Sequence, residues 1–345
     1  MPVLNDIIGT ADMKEKQSAH REKLFNGIEL REMIARWVEP RRVPKTPKVV
    51  TDTSDFFKVD YDDVVIFEDR PYFVRNYERE GRFGIDDEPK FWVRRAIDLA
   101  DGSTKILKMV FHEEFKARVG GITFECVRSP LKEAAILDMV RGHPNFMQGF
   151  SVKDSAENII RIINYIRGTT LADHVLPLGK DHEDYFYNYF PSVLEEFIDL
   201  ARAIKFLHER GQKHGDIRRD HIIKEKETGV CRWIDFDFNY LHKENMFGYD
   251  LFGLGNILIY LAGRGDVTMQ RLKEEGAPVF HSLTANDVNI IFNNRLANLK
   301  KVYPYIPEAM NIVMLHFSSG ANIFYDHIDQ LLSDMQEAGS SIGWS

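Results

Sequence analysis

Only two cysteines, Cys126 and Cys231, occur in the 345 residues. They are too few and too far apart for a disulfide framework or a thiolate metal cluster. A reducing compartment follows as the expectation, and with it a cytoplasmic protein. Long apolar runs are missing too. The most apolar stretch, residues 251–262, is interrupted by Gly253, Gly255 and Asn256. It is too short to span a bilayer and reads as a buried core helix. The opening Met-Pro-Val-Leu-Asn-Asp has no cationic stretch leading into an apolar one, so no secretory signal is expected. Positive charge is not in excess. The formal net charge of −8 gives no support to a nucleic-acid partner. No internal repeat is visible.

What is present falls into three stretches. Residues 1–54 combine a helical pattern over 10–37 with a basic, proline-containing segment, Glu-Pro-Arg-Arg-Val-Pro-Lys-Thr-Pro-Lys, at 39–48. The helix places Leu24, Ile28, Leu30, Ile34 and Trp37 near one stripe. The prolines cannot continue it, so 39–48 reads as a linker and the helix as a possible docking arm or a solvated appendage. Residues 55–165 are strand-rich. Val64–Phe67, 72–77, 91–97 and 104–111 alternate or are β-branched, with an Asp-Gly-Ser turn at 101–103. Pro130 then opens a helix that runs to Val140, and residues 150–165 read as two more strands. Residues 166–340 are mainly helical. An amphipathic helix over 192–209 is followed by Gly211 as a stop, and two short strands at 222–224 and 231–234 flank a Glu-Thr-Gly turn. The expectation is an α+β, bilobal fold: an antiparallel sheet with one helix, then a helical lobe, with a cleft between.

The chemistry concentrates in His214-Gly-Asp-Ile-Arg-Arg-Asp-His221 and Trp233-Ile-Asp-Phe-Asp237. Asp216 follows a helix and a glycine stop, so it lies on a loop. Asp235 ends a short apolar strand. The layout can bring two carboxylates together, one near an acceptor hydroxyl and one near a metal. Phosphoryl transfer needs such a pair, because positioning and cations stabilise its transition state.

These residues resemble the protein-kinase-like superfamily over roughly residues 64 to 337. His214-Gly-Asp216 is similar to the His-Arg-Asp catalytic loop, and Asp235-Phe-Asp237 to Asp-Phe-Gly. The resemblance implies that ATP and Mg²⁺ (or Mn²⁺) are the cofactors. It implies that Asp216 orients or accepts the proton of the acceptor hydroxyl and that Asp235 holds the metal. Arg218 stands where serine/threonine kinases have a phosphate-contacting lysine. His221 stands where the family has a metal-binding asparagine, and either metal contact or a structural hydrogen bond suits it. Lys108, in Lys-Ile-Leu-Lys-Met-Val-Phe, resembles the ATP-binding lysine, with Leu107 and Met109 packing on the opposite face and Lys105 solvated. Glu133 resembles its partner on the following helix. Asn164, Tyr165 and Ile166 resemble the hinge that meets adenine. Gly81 and Gly84, in Glu-Gly-Arg-Phe-Gly-Ile-Asp, resemble a degenerate phosphate-covering loop. Asp250 is expected to tie the catalytic loop to the core. His214, Phe236 and Leu137 are expected to pack.

Three departures bear on the acceptor. Only residues 238–249 separate Asp-Phe-Asp from the next helix, and Ala-Pro-Glu is missing. Gly215 replaces the arginine that pairs with a phosphorylated activation loop, so no such switch is expected. The short segment is similar to that of aminoglycoside and choline kinases, and His221 to some lipopolysaccharide core kinases, whereas the last helices resemble serine/threonine kinases. The reading is an ATP-dependent phosphotransferase, serine/threonine protein kinase-like. The alternatives are a small-molecule or lipopolysaccharide-sugar kinase of the same fold and a nucleotide-binding pseudokinase.

Overall fold

The computed structural model describes residues 27–80, 88–119, 122–241 and 245–342. In chain order these form α1 (Gly27–Ala35), β1 (Val49–Val50), β2 (Val64–Phe67), β3 (Arg70–Glu80), β4 (Glu88–Asp98), β5 (Thr104–Lys108), β6 (Glu114–Val119), β7 (Ile122–Arg128) and α2 (Pro130–Met139). Then come β8 (Gly149–Lys153), β9 (Ile159–Asn164), β10 (Gly168–Thr170), α3 (Leu171–Val175), α4 (His182–Asn188), α5 (Phe190–His208), β11 (Ile222–Glu225), β12 (Cys231–Trp233) and β13 (Phe238–Leu241). The chain closes with α6 (Gly248–Ala262), α7 (Met269–Glu274), α8 (Glu308–Leu315) and α9 (Ile328–Ser340). Among the described residues no helix is long and apolar enough to cross a membrane.

Contacts divide the chain into two compact units. The first holds the described residues up to His112 together with Pro130–Gly142 and Met147–Tyr165. Its sheet has the order β1-β2-β3-β4-β5-β9-β8. All pairs are antiparallel except β1 with β2. The alternation of β-branched and aromatic residues lets both faces be covered. Val65, Phe67, Tyr72, Val74, Leu107, Met109 and Ile162 share one apolar cluster, and Val64, Ile66 and Phe73 belong to another.

That second cluster corrects the reading of the N-terminal stretch. Leu30 and Ile34 of α1 are buried in it, and the Trp37 indole N–H donates to the Leu99 carbonyl at 3.1 Å. The end of the segment read as a linker, 39–48, is tied to the same unit: the Lys48 carbonyl accepts from the Val64 N–H at 2.8 Å and Lys48 Nζ donates to Asp63 Oδ2 at 3.0 Å. Just beyond it, Val49 and Val50 pair with β2, and the Asp154 carboxylate accepts from the Thr53 N–H at 2.8 Å and its hydroxyl at 2.7 Å. The apolar stripe was legible, but the sheet face that receives it lies far away in sequence. The earlier part of the expected helix, residues 10–26, falls outside the described residues.

The second unit comprises Glu113–Ser129, His143–Phe146 and the described residues from Ile166 onward. Its helical core is organised by α5, whose Val193, Leu194, Phe197, Ile198, Ala201, Ile204 and Leu207 are buried on one stripe. Two small sheets accompany it, β10-β11-β12 and β13-β7-β6. The second of these was not foreseen. The chain between β5 and α2 forms a hairpin, and the strand after Asp-Phe-Asp adds to it, Phe238 opposite Arg128 and Tyr240 opposite Cys126.

Candidate functional site

In the first unit, β5 and β9 run antiparallel with Lys108 opposite Arg161. Two cations facing each other across a strand pair repel unless an anion lies between them. Glu133, in the first turn of α2, is that anion. Its Oε1 accepts from Lys108 Nζ at 2.8 Å and its Oε2 from Arg161 Nε at 3.1 Å. All three side chains are buried. Arg161 also donates to the Met109 carbonyl at 3.2 Å and the Ile159 carbonyl at 2.9 Å. The expected Lys108–Glu133 pair is therefore formed, and Leu107 and Met109 are buried on the opposite face. Arg161 was missed. The signal was a charge inside Ile-Ile-Arg-Ile-Ile, an apolar strand with no solvent-facing alternation to explain it.

In the stretch read as a hinge, Asn164 and Tyr165 are exposed. The Asn164 side chain accepts from Lys105 Nζ at 2.7 Å in a solvent-exposed hydrogen bond. The Tyr165 N–H donates to the Thr104 carbonyl at 3.2 Å, and the Arg95 guanidinium lies 4.3 Å from the Tyr165 ring centroid. The boundary between the units falls between Tyr165 and Ile166. Gly81 and Gly84 lie outside the described residues.

The second unit holds the carboxylates. The loop after α5 turns through Gly211 and Gly215, whose φ values are +68° and +89°. It hangs on Asp250, the buried acid in the first turn of α6. The two oxygens of Asp250 accept from His214 N–H at 2.8 Å and Gly215 N–H at 2.9 Å, and His208 Nε2 lies 3.0 Å away. Burial works to raise the Asp250 pKa, but these partners outweigh it and hold the carboxyl below its ordinary range. His214 is buried edge-on to Trp233 and Phe236.

Gly253 lets α6 approach this loop. A Cβ there would lie 2.7 Å from Ile217 Cβ and 2.8 Å from the Ile217 carbonyl oxygen. Gly→Ala inside a helix normally stabilises by about 1 kcal/mol. Here the sign reverses. Gly253→Ala is expected to destabilise the second unit by about 1–3 kcal/mol through overpacking, measured by urea unfolding. A gain in stability would show that the contact relaxes freely.

Asp216 meets Asp235 through the β11–β12 hairpin. The chain leaves the loop at His221, turns back, and the Ile234 N–H donates to the His221 carbonyl at 2.9 Å. The residue after Ile234 is Asp235, so it lands beside His221. The imidazole sits between both acids: Nδ1 is 2.9 Å from the Asp216 carbonyl oxygen and 3.5 Å from its Oδ2, while Nε2 is 3.7 Å from Asp235 Oδ2. A carbonyl only accepts, so Nδ1 carries the proton. Nε2 then faces Asp235 either as a lone pair, which suits a cation held by both, or as the N–H of an imidazolium. The donor set of Asp235 oxygen and His221 nitrogen fits a divalent metal, Mn²⁺ being the more tolerant of nitrogen. Asp235 itself has φ +64°, a left-handed conformation that surrounding structure must hold.

Arg218 is engaged by Asp220, with Nε at 3.1 Å from Oδ1. Burial pushes the Asp220 pKa up, but His221 and Arg218 pull it below the usual value. Asp237 is fully buried, and its Oδ2 lies 2.5 Å from Arg128 Nη1. The guanidinium of Arg128 also meets Glu113 Oε2 at 3.1 Å. Burial opposes its charge, yet Asp237 and Asp235 together shift its pKa still further up. Arg128 was missed in the sequence. A buried acid at the third position of Asp-Phe-Asp demands a buried cation, but nothing local names it.

No protein-family model matches the chain. Among curated proteins it is 25% identical over 161 residues to CBL-interacting protein kinase 11 of Oryza sativa subsp. japonica, covering 47% of this chain and 29% of that protein. It is 26% identical over 113 residues to CBL-interacting serine/threonine-protein kinase 3 of Arabidopsis thaliana, covering 33% of this chain and 24% of that protein. The chain thus spans less than a third of the length of either relative. The solved PknI kinase domain of Mycobacterium tuberculosis superposes with a TM-score of 0.45 at 13% identity, covering 81% of this chain and 99% of that one.

Proposed function

We propose that the chain, which is similar to protein kinases, is an ATP-dependent phosphotransferase of the protein-kinase-like superfamily acting on an acceptor hydroxyl, serine/threonine protein kinase-like in type. The observation that carries the reading is the position of His221 between the Asp216 and Asp235 carboxylates. In this reading Asp216 orients the hydroxyl and takes its proton, and Arg218 balances charge near the transferred group. Asp235 with His221 would hold Mg²⁺ or Mn²⁺. When bound, the metal supplies positive charge to the ATP phosphates. Lys108, fixed by Glu133, contributes a further cation to phosphate, and the stretch Asn164, Tyr165 and Ile166 meets the adenine.

A second reading, a small-molecule or glycolipid-sugar acceptor, is favoured by one observation. Residues Phe238–Leu241 are committed as a strand to the β6–β7 hairpin, which leaves little of the short segment to form a peptide platform. Transfer from γ-³²P-ATP tests both. The purified protein is incubated with Mg²⁺ or Mn²⁺ and cell extract, then separated into protein, small-molecule and lipid fractions. Metal-dependent label is expected, in the protein fraction on the first reading and in either other fraction on the second. No label and no ATP turnover, with metal-independent ATP binding, would overturn both in favour of a pseudokinase.

A further inference from the structure

We infer that Arg128 is a positioning residue for Asp235: it clamps Asp237 and the turn before it onto β7, and it keeps Asp237 as its own counter-ion. The inference rests on the reading of Asp235 as the metal-holding acid, and it concerns a residue that lies outside every motif of that reading.

The grip is made by both side chain and backbone. Arg128 Nη1 meets Asp237 Oδ2 at 2.5 Å, and the next residue, Ser129, donates its N–H to the Asp237 carbonyl at 2.7 Å. The guanidinium carbon also lies 4.1 Å from the centroid of Phe238, the residue opposite Arg128 in the β7–β13 ladder. Glu113 takes the other edge of the fork, at 3.1 Å and 3.2 Å. Only 1% of the Arg128 side chain and none of that of Asp237 is exposed. A charge pair this dry holds its geometry, because neither partner can turn to water.

Asp235 needs such a hold. Its left-handed backbone is disfavoured for a residue with a Cβ and persists only where neighbours over-determine it. One neighbour is the Ile234–His221 hydrogen bond before it. The anchor after it is Asp237. The guanidinium has a second effect. Carboxylate oxygens of Asp235 and Asp237 lie within 4.8 Å of each other, so without Arg128 they would repel at close range in a water-poor site. With Arg128 in place, the Asp237 charge faces the guanidinium rather than Asp235.

The test compares Arg128→Gln, Arg128→Lys and Asp237→Asn with the wild type by amide exchange and steady-state kinetics. Arg128→Gln is expected to speed exchange over residues 235–241 by about tenfold or more while α6 stays protected. It is expected to lower kcat by about tenfold with KM for ATP changed less than about threefold. Arg128→Lys, which keeps the charge and loses the fork, should fall between. Should Arg128→Gln fail to fold, Asp237→Asn reads the same window, because Glu113 still pairs the guanidinium. Exchange unchanged over 235–241, or raised equally in α6, would overturn the inference and reduce Arg128 to a general structural role. A wild type without turnover would sink the phosphotransferase reading instead, and the exchange comparison would still decide the clamp.

Discussion

Asp216→Ala is expected to lower phosphoryl transfer by about 10²–10⁴-fold, the usual worth of a positioned proton acceptor, while metal-dependent ATP binding stays within about threefold of wild type. The structure explains why the loss should be chemical rather than structural. His221 Nδ1 donates to the backbone carbonyl of Asp216, at 2.9 Å, and that bond survives truncation of the side chain. Asp250 holds the loop through the amides of His214 and Gly215, which are also untouched. Asp235→Asn is the matching experiment. Asparagine tolerates a left-handed backbone better than most residues, so the turn at φ +64° keeps its shape while the charge is lost. This variant should lose both turnover and metal-dependent ATP binding. Calorimetry with Mn²⁺ and ATP separates the two roles. Equal loss of binding in both variants would mean that the acids act as one electrostatic unit, and the division between proton acceptor and metal holder would be wrong.

The parts of this site that were legible in the sequence are those built from short-range logic. A helix with its stop, a loop, and a hairpin that returns the chain to its start are local, and they bring Asp216, His221 and Asp235 together. Lys108 and Glu133 were legible for a different reason: strand alternation fixes the face of one, and the helix opened by Pro130 presents the other. What escaped depends on register between distant segments. Arg161 faces Lys108 only because β9 pairs with β5 in that register. Arg128 meets Asp237 only because β13 adds to β7. The two strands did carry a local signature, since the sequence Phe-Lys-Ala-Arg-Val before and Ile-Thr-Phe-Glu-Cys-Val after the Gly-Gly pair alternates. The family resemblance says nothing of this stretch, because it runs straight from the lysine strand to the glutamate helix. The N-terminal helix shows the complementary failure. Its stripe was seen, but a stripe does not say whether a partner, solvent or this chain's own sheet covers it.

The largest expected effect on stability is at Glu133. One carboxylate serves two buried cations that oppose each other across β5 and β9. Removing one partner of a buried ion pair costs about 3–5 kcal/mol, because the remaining charge is left without compensation. Glu133→Gln removes the anion shared by both cations, so a loss within that range is expected for the first unit. Lys108→Met should behave differently. It removes one cation and leaves Glu133 paired with Arg161 at 3.1 Å, so its cost should stay at about 1–2 kcal/mol, that of swapping one buried side chain for another of similar volume, although transfer activity should fall steeply. The double variant Glu133→Gln/Arg161→Gln should recover part of the loss, since residues in one network are not additive. Urea titrations followed by amide exchange over β5 and β9 keep the first unit's unfolding separate from that of the second. Equal destabilisation by Glu133→Gln and Lys108→Met would mean that Arg161 draws its compensation from the Met109 and Ile159 carbonyls alone. Glu133 would then answer to Lys108 only. The predicted asymmetry instead makes Arg161 the residue that keeps Glu133 in place when the lysine is engaged elsewhere.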